Sequence, residues 1–428
     1  MITRIQALKY RCFDRLDVDL HHYNVLAGAN GSGKSTLMDI PLLFSDMLSS
    51  NELVQAFLEP SPSTNVIRAQ RLRELTYCHA SDYFSFVLEA ALPQEITTIL
   101  VDDAPKSIRA NSKRWPRALR YEVRFEIFND IELQIADESL WLVPENATKN
   151  ERGAQIGKPV PSNWTSIIAR ESGQPVKIKA ERGERERRGR EDFHFRLRPD
   201  TLALNSLPLD ASLFPAARWF IDMLKVGTLW YEPNILKLQQ DSKLVSMKAI
   251  DPDAGNLPWL VLSLQREQPD DFNDWVAHVQ TALPHIKKIE AIERADGFHA
   301  YLTVTYNGGY TIPSSGLSAG TLRILALTIL PYLPNPPDIV CLEEPENGLH
   351  PYAIEAILQS LNSLYDSQVL LSTHSPMVLA HTKLSSVIVM QSENSGEKYA
   401  IAGDNHPRLQ GWRGEIDLGS LFAAGVLE

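Results

Sequence analysis

Residues 28–35 constrain the fold more than any other segment, because they have the sequence Gly-Ala-Asn-Gly-Ser-Gly-Lys-Ser. This is the P-loop pattern: a glycine, four residues, then Gly-Lys followed by Ser or Thr. Val25 and Leu26 precede it, as expected for a buried strand that leads into the loop. Glycines let successive N–H groups face phosphate oxygens, and the following helix directs its positive end at the same anion. The segment therefore predicts a strand–loop–helix unit that binds a nucleotide.

The P-loop also supplies most of the candidate ligands of that nucleotide. They are Gly28, Asn30, Gly31, Ser32, Gly33, Lys34, Ser35 and Thr36. We expect Lys34 to contact the β- and γ-phosphates of ATP and to act in catalysis, and the Ser35 hydroxyl to hold Mg²⁺. A P-loop alone indicates a bound nucleotide, so the reaction depends on residues further along the chain.

Two neighbouring acids follow an apolar run at residues 339–345, Ile-Val-Cys-Leu-Glu-Glu-Pro. This pattern is typical of a buried strand that ends with carboxylates at the edge of a sheet. Glu344 is then a candidate general base that polarises the attacking water. The alternative is a strand followed by a solvated acidic turn.

A candidate helix start lies at residues 317–321, Leu-Ser-Ala-Gly-Thr, before an apolar run from Leu322 to Leu330. Ser318 and the small residues after it would begin a helix whose N-terminus can bind phosphate, so Ser318 and Gly320 are candidate nucleotide ligands. An isolated segment of this kind is better explained by an ordinary helix N-cap at Ser318.

A short apolar strand at residues 369–371 is followed by Ser-Thr-His-Ser-Pro, in which Pro376 prevents continuation of the strand. The histidine, His374, is a candidate site residue, although a lone histidine at a strand end is usually structural. Residues 346–351, Glu-Asn-Gly-Leu-His-Pro, lie between the two acids and this histidine.

In this order, the segments resemble the P-loop, signature, Walker B, D-loop and switch histidine of ABC ATPases. The chain is similar to the stand-alone ABC ATPases related to RecF, SMC and OLD proteins, often labelled AAA-type 15 or 21. The resemblance covers residues 1–45 and 255–390 well and the middle only loosely. It implies an α/β fold, namely a P-loop NTPase ABC-ATPase head with a β-rich lobe, a compact α/β insertion and no long coiled coil.

The resemblance also implies roles for individual residues. Glu343 would help to hold Mg²⁺ through water, at a position where the family usually has Asp. Glu344 would act on the water, and His374 would contact the γ-phosphate. Because ABC sites form between chains, Ser318 and Gly320 would serve a nucleotide held by another copy, which implies a homo-oligomer.

Three features depart from the family pattern or stay open. Ala319 and Thr321 replace a Gly and a Gln of the signature Leu-Ser-Gly-Gly-Gln, and Glu343 is one methylene longer than Asp. The Q-loop residue is not placed, with Gln55 and Gln70 as candidates.

We divide the chain into four parts. They are the N-terminal part of the core with the P-loop (1–48), a β-rich lobe and mostly helical insertion (49–300), the C-terminal part of the core with signature, Walker B, D-loop and switch histidine (301–390), and a tail (391–428). SMC-type proteins insert a long coiled coil in the middle, whereas this insert has many prolines and no sustained heptads, which predicts a compact lobe.

Local patterns predict several elements. Residues 83–89 and 121–127 alternate and predict paired strands, with a turn that begins at Asn129-Asp130. A helix is expected at 37–48, kinked or shortened by Pro41. Residues 140–210 are polar, with scattered Pro and Gly, and predict loops.

The net charge of −11 argues against a broad nucleic-acid-binding surface. A local basic cluster at 177–198, interleaved with Glu, is either a self-compensating surface loop or an arm that contacts phosphate or a partner. Cys12, Cys78 and Cys341 are too widely spaced for a disulfide framework or a zinc site. No signal peptide or membrane-spanning run is apparent, so we expect a cytoplasmic protein with no membrane partner.

Three functions remain open. The first is an ATP-hydrolysing sensor or motor in DNA repair or anti-phage defence, with DNA as a candidate partner and a separately encoded effector. It would resemble the ATPase subunits of PARIS, Septu or retron modules. The second is a slowly hydrolysing scaffold that uses ATP to sequester an effector. The third, a transporter ATPase subunit, is disfavoured by the large middle insert.

Overall fold

The structure is a computed structural model of the chain that describes residues 1–147, 161–182, 192–208, 210–244, 249–295, 297–393, 396–410, 412, 414 and 416–427. The strands are β1 (Ile2–Tyr10), β2 (Phe13–Asp19), β3 (Tyr23–Ala27), β4 (Tyr83–Ala91), β5 (Pro116–Phe128), β6 (Glu132–Pro144), β7 (Thr165–Glu171), β8 (Val176–Lys179), β9 (Asp192–Phe195), β10 (Thr228–Trp230), β11 (Ser242–Lys243), β12 (Ile286–Glu293), β13 (His299–Tyr306), β14 (Thr311–Pro313), β15 (Ile339–Glu343), β16 (Gln368–Thr373), β17 (Val387–Ser392) and β18 (Lys398–Ala402).

The α-helices are shorter and fall between the strands. They are α1 (Lys34–Ser49), α2 (Gln55–Leu58), α3 (Gln94–Asp102), α4 (Lys106–Arg109), α5 (Pro215–Lys225), α6 (Ile235–Leu238), α7 (Leu257–Glu267), α8 (Pro269–Ala282), α9 (Ala319–Thr328), α10 (Pro351–Asn362), α11 (Pro376–Ala380) and α12 (Leu418–Ala423). Short 3-10 turns lie between several of them.

The chain forms two compact units. Unit 1 comprises Met1–His21, Gly31–Gly227 and Met390–Ala400, and unit 2 comprises His22–Asn30, Thr228–Val389 and Ile401–Glu428. The P-loop therefore begins in one unit and ends in the other. Among the described residues, no helix is long and apolar enough to cross a membrane.

Unit 1 is built on an eight-stranded sheet in the order β2-β1-β4-β5-β6-β7-β8-β9, in which neighbouring strands are antiparallel. The predicted pairing is confirmed, since Phe84 of β4 lies opposite Phe125 of β5. The predicted turn is also confirmed. Asn129 and Asp130 both have positive φ, 51° and 61°, which these residue types tolerate best after glycine.

The prediction of loops over residues 140–210 is wrong for the described part of that range. It contains β7, β8 and β9, which extend the sheet to its edge. β8 alternates buried and exposed residues along Val176–Lys179, a strand pattern that is only four residues long. Short strands with one solvated face carry a weak sequence signal, particularly when the surrounding residues are polar.

Helix α1 packs on this sheet through aromatic side chains. The ring of Phe44 lies 5.7 Å from that of Phe86 and 5.8 Å from that of Tyr121, both edge-on. Pro41 was expected to kink or shorten the helix, yet α1 continues from Lys34 to Ser49. Leu37, Leu42 and many neighbours are buried, and the free energy of burying them exceeds the roughly 3 kcal/mol that an internal proline costs.

Unit 2 contains a six-stranded sheet in the order β10-β15-β16-β3-β17-β18. The pairs β10–β15, β15–β16, β16–β3 and β3–β17 are parallel. Every residue of β3 and β16 is buried, as expected for parallel strands covered on both faces. A second, antiparallel sheet has the order β11-β13-β12, with β14 paired to β13.

Two hydrogen bonds hold helix α9 in the core of unit 2. The indole N–H of Trp275 in α8 donates to the Thr328 hydroxyl at 3.1 Å. The Tyr231 hydroxyl, directly after β10, donates to the Ala326 carbonyl at 2.7 Å. Both donors are fully or almost fully buried, so α9 has a fixed position beside the parallel sheet.

The basic segment at 177–198 is only partly described. Arg185, Arg187, Arg188 and Arg190 lie outside the described residues. Arg182 donates to the Asp103 carboxylate at 2.5 Å, and Arg198 pairs with Asp200 at 3.3 Å. Arg182 and Arg198 thus have acidic partners, as the compensated-loop alternative expects, and Arg196 is exposed.

The buried ion triad beneath α1 generates a stability prediction. Arg68 is 7% exposed and bonds the carboxylates of Asp39 and Asp46 in α1, each at 2.7 Å. Arg68→Met would leave both carboxylates without their cation, so we expect a loss of about 3–5 kcal/mol in the free energy of unfolding. Urea denaturation of the purified protein measures it.

The matched control for this prediction is Arg73→Met. Arg73 also pairs with two carboxylates, those of Asp82 and Asp130, but at the surface of unit 1. Solvent screens such pairs, so unfolding should change little. Equal destabilisation by the two substitutions would contradict the special position of Arg68.

Candidate functional site

Parallel pairing brings three strand ends of unit 2 to one edge of the sheet. β15, β16 and β3 are neighbours, with Glu343 opposite Ser372 and Thr373 opposite Ala27. The segments that follow these ends begin with Glu344, His374 and the first P-loop glycine, Gly28. The carboxyl edge of a parallel sheet is where ligands bind in open α/β folds. Two motifs that are far apart in sequence thereby lie at the same sheet edge as the start of the P-loop, both on the β16 side of β3.

The P-loop has the backbone conformation that its glycines predict. Gly31 and Gly33 have φ of 74° and 99°, in the left-handed region. At Gly33 a Cβ would lie 2.8 Å from the Phe13 ring, so both the backbone angle and the space require glycine. Gly33 also precedes α1, and the Leu37 N–H donates to its carbonyl at 3.0 Å. The loop therefore turns directly into the helix.

The start of α1 is suited to an anion. No side chain caps it, and its first turn contains no acidic residue, within the described part of the chain. Lys34 is the first helical residue and is 6% exposed, whereas Ser35 is exposed. The Ser32 hydroxyl is buried and has no hydrogen-bond partner among the described residues. A helix N-terminus, a cation and an unsatisfied hydroxyl together fit the phosphates of ATP.

The remaining P-loop candidates differ in their surroundings. Asn30 is exposed at the tip of the loop and Gly28 is buried at the end of β3. The Thr36 side chain hydrogen-bonds the thiol of Cys12. Burial raises the pKa of that thiol, and the Thr36 contact opposes the shift. The packing of Cys12 and Phe13 against the loop was not predicted from sequence.

The two acids after β15 have different environments. Glu343 ends the strand and is exposed. Glu344 has φ of 44°, a left-handed conformation that is uncommon for a residue with a side chain. Its N–H donates to the Ser372 carbonyl at 3.0 Å, which fixes the strained turn to β16. Backbone strain that the surroundings maintain is frequent at functional sites.

The Glu344 carboxylate is held from both sides. His374 Nε2 lies 3.4 Å from Oε1, and the Asn347 amide donates to Oε2 at 2.6 Å. The Glu344 and His374 side chains are 31% and 30% exposed, so solvent reaches them. The sequence predicted Glu344 and His374 as separate candidates, and the structure brings them together. The sequence did not predict a role for Asn347, because this residue belongs to a turn with no hydrophobic pattern.

The predicted signature segment begins α9. The exposed Ser318 is its N-cap, and its hydroxyl accepts from the Thr321 N–H at 3.1 Å. The ordinary capping role that sequence analysis left open is therefore present. Arg323 of α9 donates to the Asn347 carbonyl, and a Cβ on Gly320 would lie 3.6 Å from the Gly348 carbonyl. The signature segment thus contacts the turn that holds Glu344.

The two candidates for the Q-loop residue, Gln55 and Gln70, stay untested. Gln55 is the first residue of α2 and Gln70 lies in the loop before the Leu72–Leu75 turn. Nothing in unit 1 distinguishes one of them as the Q-loop residue.

Comparison with protein families matches residues 169–380 to the family described as "AAA domain, putative AbiEii toxin, Type IV TA system". The matched range contains the signature segment, the two acids and His374, and it begins after the P-loop. No curated protein matches the sequence.

Comparison with solved structures finds SMC heads. An SMC head bound to the C-terminal winged-helix domain of ScpA has a TM-score of 0.51 at 12% identity, over 94% of this chain and 97% of that one. An SMC head with an extended coiled coil, bound to the C-terminal domain of ScpA derived from Pyrococcus furiosus, has 0.48 at 12%, over 100% and 98%. The SMC head domain from Thermotoga maritima has 0.40 at 11%, over 94% and 98%. The first likeness shows that the chain has the α/β fold of an SMC head.

Proposed function

We propose that the chain is an ATPase that binds and hydrolyses ATP with Mg²⁺ at sites shared between two copies. The observation that carries this proposal is the Glu344 carboxylate, held by His374 and Asn347 at the sheet edge from which the P-loop emerges. A strained, solvent-accessible carboxylate beside a histidine suits activation of a water near phosphate.

The roles of the residues follow from general phosphoryl-transfer chemistry. Lys34 and the N–H groups of the P-loop would bind the β- and γ-phosphates and offset charge that develops on them. Mg²⁺, held by Ser35 and Glu343, would supply further charge neutralisation. Glu344 would orient the water and accept its proton, while His374 would contact the γ-phosphate. Asn347 would limit the rotation of the Glu344 carboxylate.

A second copy of the chain would contribute the exposed N-terminus of its α9 to the site. Ser318 is exposed and the next residues are small, so this helix N-terminus can approach a phosphate held by another chain. The contacts of α9 with the turn that holds Glu344 would link that approach to the base. A homodimer or larger homo-oligomer is therefore part of the proposal.

The cellular role that we propose is a sensor or motor in DNA repair or anti-phage defence, with a separately encoded effector. The matching family is described as "AAA domain, putative AbiEii toxin, Type IV TA system", and the SMC head with the TM-score of 0.51 is bound to a domain of another protein, ScpA. Both descriptions support work with a second component.

The first prediction concerns Lys34→Ala. It removes the buried cation at the start of α1, so we expect turnover of ATP to fall at least about 100-fold. Phosphate release measures turnover, and calorimetry with a non-hydrolysable ATP analogue measures binding. Lys225→Ala, at an exposed lysine of α5, is the control. Unchanged turnover in Lys34→Ala would contradict the assignment of the P-loop.

The second prediction separates the two acids. Glu344→Gln keeps the shape but cannot accept a proton, so hydrolysis should fall about 100- to 10,000-fold while ATP stays bound and assemblies accumulate. Glu343→Gln should instead raise the Mg²⁺ concentration needed for half-maximal activity. Magnesium titrations and light scattering with ATP distinguish the variants. The reverse behaviour would show that the roles of the two acids are exchanged.

The third prediction tests sharing of the site. Ser318→Arg should block hydrolysis while ATP affinity of the single subunit stays nearly unchanged, because the bulky cation obstructs the approach of a second copy. Ser318→Thr is the control, since it keeps the capping hydroxyl and adds only a methyl group, and it should leave hydrolysis nearly unchanged.

Mixing gives a sharper version of this test. A dimer of one Ser318→Arg chain and one Lys34→Ala chain has one site with both changes and one site with neither. Activity should therefore partly recover on mixing. Absence of recovery, with mixed assemblies demonstrated by light scattering, would argue against independent shared sites.

A further inference from the structure

Glu346 joins the turn after β15 to the end of β16. Its Oε1 accepts a hydrogen bond from the hydroxyl of Thr373, which is fully buried. The same hydroxyl accepts from the Ser375 N–H at 2.9 Å. Thr373 and Ser375 flank His374 in the sequence, so the Glu346 contact fixes the backbone on both sides of the histidine.

Other contacts also connect the same two segments. The Glu344 N–H donates to the Ser372 carbonyl at 3.0 Å, and His374 Nε2 lies 3.4 Å from the Glu344 carboxylate. The first involves only the backbone, and the second joins the two groups whose spacing matters for catalysis. The Glu346–Thr373 bond is a side-chain contact next to these two, and it involves neither the Glu344 carboxylate nor the His374 ring.

The buried environment of the Glu346 carboxylate is energetically unfavourable. Its Oε2 is buried and has no hydrogen-bond partner among the described residues. Burial, and the nearby charge of Glu344, raise the pKa of Glu346 above its ordinary value, whereas the Thr373 hydroxyl and the His374 N–H oppose the shift. A buried carboxylate with one unpartnered oxygen lowers the stability of the fold. The contribution of Glu346 is therefore to the position of Thr373, whose hydroxyl it bonds.

We propose that Glu346 is a positioning residue for ATP hydrolysis, which holds His374 and Glu344 at the spacing that water activation needs by accepting the Thr373 hydroxyl. The proposal rests on the proposed ATPase function. Glu346 does not bind nucleotide itself. It acts through Thr373 on the segment that carries His374 and through the turn on Glu344.

The central experiment compares Glu346→Leu with Glu346→Gln. Leucine cannot accept the Thr373 hydroxyl, so kcat should fall about 10- to 100-fold, because displacement of a catalytic group by about 1 Å has effects of this size. The dissociation constant of a non-hydrolysable ATP analogue should stay within about twofold, since the P-loop is untouched. Glutamine keeps an acceptor oxygen and should restore most of the activity.

Thr373 provides the second arm. Thr373→Val removes the donor and should lower kcat as Glu346→Leu does, whereas Thr373→Ser keeps it and should not. The double variant Glu346→Leu, Thr373→Val should be no slower than either single variant, because both remove the same bond. If Glu346→Leu does not fold, the comparison of Thr373→Val with Thr373→Ser decides the question.

Glu355→Leu, the same substitution at an exposed carboxylate of α10, is the control and should leave kcat unchanged. Full activity of Glu346→Leu, or equal loss of ATP binding and turnover, would overturn this inference while the ATPase assignment stands. A wild-type protein with no more turnover than Lys34→Ala would overturn the ATPase function and this inference with it.

Discussion

The backbone pairing of β15, β16 and β3 is the constraint on which the candidate site depends. Side chains alternate along a strand, so a slip of one residue would turn every side chain of that strand to the opposite face of the sheet. All residues of β3 and β16 are buried, so such a slip would disrupt their packing. A slip of two residues would displace a strand end by about 7 Å. The pairing of Glu343 with Ser372 and of Thr373 with Ala27 therefore sets where the chemical groups lie.

The elements that carry the candidate residues are held by connections of different kinds. In unit 1, Phe44 packs α1 on the sheet, and two aspartates of α1 bond Arg68, so the helix that follows the P-loop has a fixed support. In unit 2, the turn from Glu344 to Asn347 is held by polar contacts with β16 and α9. A well-packed helix thus follows the P-loop, and a polar turn carries the Glu344 carboxylate.

Sequence patterns predicted the parts of this arrangement that depend on local chemistry. The strand–loop–helix unit at the P-loop, the buried strand before Glu343 and the helix start at Ser318 each follow from a short pattern with a physical reason. The strand pair at 83–89 and 121–127 follows from alternation, whereas the fold class was implied by the resemblance to ABC ATPases. The structure confirms these elements, and the likeness to an SMC head confirms the fold class.

What the sequence did not predict depends on contacts between distant segments. The side chain of Asn347 matters only because the turn places it 2.6 Å from Glu344, and Cys12 only because β1 and β2 bring it beside Thr36. The strands β7 to β9 were missed because they are short segments with partly exposed residues, such as the two buried and two exposed residues of β8. The continuation of α1 through Pro41 depends on burial that no local pattern measures. Tertiary packing decided all four.

The left-handed backbone of Glu344 has a consequence for substitutions at this position. Glycine adopts this conformation without strain, so replacement of Glu344 by glycine would relieve about 1 kcal/mol or more of backbone strain while removing the carboxylate. Under the proposed assembly, such a chain would fold well, bind ATP and occupy a place beside a normal copy without completing the reaction. A dimer of one such chain and one normal chain would hold one complete site and one site that binds ATP without hydrolysing it, so backbone strain accompanies the carboxylate wherever a site is complete.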